Sequence, residues 1–68
     1  MNRTFDQALL LYLSHCETHR HFVVHAHEES SEMIDGDWYL RDETQLIAIV
    51  TEKGNVGCVC TQHAMAVA

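Results

Sequence analysis

Five of the six histidines, His15, His19, His21, His25 and His27, fall within thirteen consecutive positions. His15 and His19 are four apart, one turn of a helix, and His25 and His27 are two apart, one face of a strand. Either spacing brings two imidazoles to one side, where a borderline-soft ion can share them. Near the other end Cys58, Cys60 and His63 read C-x-C-x-x-H, three soft or borderline donors within six residues. His25, His27, Cys58, Cys60 and His63 therefore form one candidate set for zinc, nickel or copper. Neither half repeats the spaced cysteine pairs of a standard structural zinc motif.

The same residues have plainer uses. Histidines beside a helix C-terminus favour its negative end, and histidines on one strand face can simply meet water. Cys58 and Cys60 alternate in step with Leu46, Ala48 and Val50 on the facing strand, where a free cysteine packs as a small hydrophobe; Cys16 lies on a helical apolar stripe and fits the same layer. With three cysteines and no paired framework, reduced thiols in a cytoplasm are expected rather than disulfides.

Catalysis finds little support. Cys16 with His19, or Cys60 with His63, would need a depressed thiol pKa, an orienting third group and an oxyanion site, and none is readable. There is no glycine-rich phosphate loop. A non-enzymatic chain with no obligatory cofactor is the expectation.

A second constellation is acidic. Glu28, Glu29, Glu32, Asp35 and Asp37 place five negative charges in ten residues without a Lys or Arg among them, and Trp38 follows directly. Such a run usually only solvates a loop. As a working surface it would steer a basic protein partner, with Trp38 as the apolar anchor. Four Lys plus Arg against ten Asp plus Glu argue against direct nucleic-acid or anionic-membrane contact, both of which need a basic footprint.

Elements must position these groups. Thr4 and Gln7 have capping-box spacing, with Asp6 favourable at the positive helix end, so a helix starts near Phe5. Phe5, Ala8, Leu9, Tyr12, Leu13, Cys16 and His19 make its apolar stripe. Residues 21–27 alternate as a strand, with His21, Val23, His25 and His27 on one face and Phe22, Val24 and Ala26 on the other. Residues 28–36 read as a long connection with a short helical turn at Met33 and Ile34. Asp37–Arg41 and Thr44–Thr51 read as strands joined by a turn at Asp42 and Glu43.

Glu52, Lys53 and Gly54 form a three-residue hairpin loop with Gly54 left-handed. If Thr51 faces Asn55, Val50 opposes Val56, Ile49 opposes Gly57, Ala48 opposes Cys58, Ile47 opposes Val59 and Leu46 opposes Cys60. Both faces are then apolar. One helix covers one face, so the side bearing Ile47, Ile49 and Val59 calls for a second copy, a partner or residues 63–68.

The expected fold is a single α+β domain over residues 1–68, an N-terminal amphipathic helix packed on a three- or four-stranded antiparallel sheet. A chain of 68 residues buries only about 60% of its unfolded surface, so the core is thin. The longest apolar run, Ala8–Leu13, falls far short of the roughly 18 residues a membrane span needs, and no signal-peptide pattern opens the chain. In size, acidity and lack of a catalytic set the chain is similar to phage-encoded or mobile-element inhibitors, anti-CRISPR proteins among them. That similarity implies a non-catalytic regulator occluding a basic surface of a host protein, with homodimerisation as one cover for the spare face. A small transition-metal-binding protein is the alternative.

Overall fold

A computed structural model describes residues 2–59. Helix α1 spans Phe5–His19, and a 3-10 turn follows at Glu28–Ser30. Four strands come next, β1 (Glu32–Ile34), β2 (Asp37–Asp42), β3 (Gln45–Val50) and β4 (Val56–Cys58), paired antiparallel in the order β1-β2-β3-β4. The protein is thus α+β, one helix packed on a four-stranded antiparallel sheet.

The capping box at the start of α1 is complete. The Gln7 N–H donates to Thr4 Oγ1 at 3.2 Å, and the Thr4 N–H donates to Gln7 Oε1 at 2.9 Å. Together they satisfy two donors that helix geometry leaves orphaned. The stripe facing the sheet is Phe5, Ala8, Tyr12 and Cys16, all buried, with Leu9 and Leu13 packed beside them. His19, at the end of that stripe, is exposed.

Cross-strand pairing places Met33, Trp38, Leu40, Ala48, Val50, Val56 and Cys58 on the face under α1. Leu40, Ala48 and Val50 are fully buried there. The β3–β4 register is the one expected from the Thr51–Asn55 closure, with Val50 opposite Val56, Ile49 opposite Gly57 and Ala48 opposite Cys58. Gly54 sits at φ 93°, the left-handed conformation that loop requires.

Four expectations change. Residues 21–27 join no ladder; at their end the His27 N–H donates to the Arg41 carbonyl at 2.8 Å, and the His27 ring pairs with Asp42, tying the segment to β2. Val24 and Ala26 still face the core, whereas Phe22 is exposed. Met33 and Ile34 lie in strand β1 rather than a helical turn. The reason is Asp35-Gly36, whose φ values of 52° and 87° are both positive, as a two-residue hairpin turn with the correct twist demands. The β2–β3 turn falls at Glu43–Thr44, one residue later than expected, with Glu43 at φ 56°.

The last change concerns the spare face. Leu40 pairs with Ala48 but Arg41 pairs with Leu46, so Ile47 is an extra residue in β3. Such a bulge breaks the strict alternation of sides. Ile47 is consequently fully buried in the core cluster instead of lying outside with Ile49 and Val59.

Candidate functional site

The C-terminal turn of α1 builds the site. Arg20 adopts φ 57° and ψ 42°, a left-handed conformation normally left to glycine. The Arg20 N–H donates to the Glu17 carbonyl, and the His21 N–H donates to the Cys16 carbonyl at 2.9 Å. This paired closure turns the chain back on itself. His21 therefore returns beside the last helical turn instead of continuing away from it. Its ring centroid lies 5.4 Å from that of His15 and 5.6 Å from that of His19, and the His15 and His19 rings are 4.3 Å apart.

Tyr12 holds the following segment in place. Its ring is buried as part of the sheet-facing stripe, and its hydroxyl accepts the Val24 N–H at 3.1 Å. Burial pushes the phenol pKa up to about 12, with the neighbouring Cys16 and Cys58 adding to the rise against the lowering effect of the Val24 N–H. The hydroxyl thus stays protonated at neutral pH.

From the opposite direction comes Cys58, the last residue of β4, half-buried on the sheet face that α1 covers. Ligand-type atoms of His15, His21 and Cys58 lie within 4.8 Å of one another, and all three residues are half-buried. His15 has its pKa lowered by burial first and by the nearby His19 and His21 next, which favours the neutral imidazole a metal requires.

The geometry is close to what an ion needs. At bond lengths of about 2.0–2.1 Å to nitrogen and 2.3 Å to sulfur, tetrahedral donors sit roughly 3.3–3.6 Å apart, so closing this group takes shifts of about an ångström. One thiol and two imidazoles match late first-row ions such as zinc, and mismatch magnesium or calcium, which select oxygen donors.

The set expected from the sequence is only partly brought together. Cys58 belongs to the group, but His25 and His27 do not. His25 is exposed, and His27 Nε2 lies 3.0 Å from Asp42 Oδ1 at the far end of β2. Cys60 and His63 lie outside the described residues. His15 and His19 were legible as a helical pair, whereas the inclusion of His21 depends on a cap that no glycine announces.

The acidic run is dispersed by the fold. Glu28 and Glu29 occupy the 3-10 turn, while Glu32 pairs with Arg41, which also lies over the Tyr39 ring. Asp37 Oδ1 accepts the Glu52 N–H at 2.9 Å, and Asp35 sits in the tight turn. Trp38 faces inward: its ring meets Phe5 edge-on at 5.9 Å, and its Nε1–H donates to the Arg3 carbonyl at 2.8 Å. The outer sheet face carries Ile34, Tyr39, Ile49 and Val59, of which Ile34 and Val59 are exposed.

No helix among the described residues is long and apolar enough to cross a membrane. Comparison with family models, with curated proteins and with solved structures finds no match to this chain.

Proposed function

We propose that this chain is a small transition-metal-binding protein, with zinc the natural ion and His15, His21 and Cys58 as its protein ligands. The observation behind the reading is the convergence within 4.8 Å of two imidazoles from the end of α1 and its cap with one thiol from β4. Histidines spread on a solvated face would not meet a half-buried thiol 43 and 37 positions away (58 − 15 and 58 − 21). Calorimetric titration of the full metal-free chain with zinc tests it. One equivalent should bind, Cys58→Ser or His15→Ala should abolish tight binding, and a joint His25→Ala and His27→Ala change should leave it intact. Tight binding that survives Cys58→Ser contradicts the reading.

A second reading draws on a different observation, the apolar outer sheet face around Ile34, Tyr39, Ile49 and Val59. Exposed apolar residues gathered on one face suit a protein contact. This supports a non-catalytic regulator or inhibitor of the phage-encoded type, binding a host protein or a second copy. Light scattering on wild type and Ile49→Asp tests the second-copy form; a wild type that stays monomeric at high concentration opposes it.

A further inference from the structure

We propose that His19 is the fourth ligand of this metal site, and its exchangeable one, so that the bound ion alternates between a closed three-imidazole, one-thiolate set and an open set with a free coordination position. This inference rests on the metal-binding reading above. His19 follows His15 by one helical turn, the spacing that aims two imidazoles at one ion. Its ring lies 4.3 Å from that of His15, tilted by 44°, and is stacked at 25° on that of His21, 5.6 Å away. It thus adjoins both imidazoles of the group while its own nitrogens lie outside the 4.8 Å set.

Burial separates the roles. His15, His21 and Cys58 are half-buried, His15 on α1, Cys58 on β4 and His21 held by its backbone N–H on the Cys16 carbonyl, whereas His19 is exposed on the last helical turn. An exposed side chain changes rotamer in picoseconds to nanoseconds, so moving onto or off the ion needs no rearrangement of the fold. Zinc sites closed by four protein ligands are structural, and those that keep a position open exchange a fourth group. Three anchored donors plus one mobile imidazole give an ion that is held but accessible. An incoming thiolate or imidazole can take the place of His19 without dislodging the other three, the arrangement suited to passing the ion to or from another soft donor.

Cobalt(II), which reports thiolate ligation and four-coordinate geometry optically, provides the test on the full chain. The wild type should bind one cobalt with a thiolate charge-transfer band and intense tetrahedral bands. His19→Ala should keep the charge-transfer band and the one-to-one stoichiometry. Its affinity should fall by at least what loss of an outer-shell partner costs, on the order of 10- to 100-fold. Free imidazole should then restore the wild-type spectrum to His19→Ala. Equal affinity and spectrum in His19→Ala and wild type would show that His19 is no ligand and leave the three-residue reading standing. Complete loss of binding in His19→Ala would contradict exchangeability, and absence of the thiolate band from the wild type would instead remove the metal reading itself.

Discussion

Two regions concentrate chemically distinctive residues, and the fold treats them in opposite ways. Residues 28–38 are dense in acids along the chain, yet folding sends them to a 3-10 turn, a strand pairing, a tight turn and a loop cap. The histidines around the end of α1 are dense along the chain too, yet there folding keeps His15, His19 and His21 side by side and brings Cys58 of β4 to them. Density in sequence measures what neighbours share; a site needs donors that point at one another, which only tertiary contact supplies.

The sharpest way to break that contrast is Trp38→Ala. Trp38 is tied to Phe5 and to the Arg3 carbonyl, so its loss should lower unfolding stability by about 3 kcal/mol, as large-to-small core changes do. Chemical denaturation checks this; an unchanged midpoint would return Trp38 to the role of a surface anchor.

Next in size is the stabilisation by zinc. At free zinc a hundred times its dissociation constant, linkage predicts about 2.7 kcal/mol of added stability, absent from Cys58→Ser. Thermal melts with and without zinc read the difference. Tyr12→Phe keeps the ring but strands the Val24 N–H, at a cost of about 1–3 kcal/mol. Because that bond fixes the segment carrying His21, zinc affinity should fall as well, and calorimetry on the folded variant separates the two effects.

A smaller effect, of opposite sign, comes from Arg20. Its left-handed backbone strains any residue with a Cβ, so Arg20→Gly should stabilise the metal-free protein by about 1 kcal/mol once glycine's own entropy is subtracted. Destabilisation would mean that the arginine side chain contributes more than its backbone strain removes.

The smallest expected effect is with pH. The folded pKa of His15 lies below the usual value, so the unfolded chain binds more protons as pH falls past about 6.5. His15 therefore contributes stability above that value that is lost as pH falls through the folded pKa. Denaturation midpoints of metal-free protein between pH 7.5 and 5.5 should drop, and His15→Gln should reduce the drop.

Local patterns made much of the fold legible. Thr4 and Gln7 marked the helix start, the Phe5–Ala8–Tyr12–Cys16 stripe marked its buried side, and Gly54 with Thr51 and Asn55 set the β3–β4 register. Asp35-Gly36 was an equally local hairpin signal, obscured by the acids and serines around it. Ile47 was not legible: period-two alternation puts it opposite Ala48, and only the bulge against β2 buries both. The candidate site was half legible for a related reason. Cys58 and the His15–His19 pair could be picked out by type and spacing, but the return of His21 depends on a left-handed Arg20. Nothing in the local sequence distinguishes that arginine from an ordinary helix-end cation.

X-ray absorption at the zinc edge of the loaded full chain tests the central claim most directly. The ion should be four-coordinate, with a single sulfur at about 2.3 Å and the remaining scatterers, imidazole among them, at about 2.0 Å. A shell with no sulfur, with two sulfurs, or with six oxygen-type neighbours would contradict it.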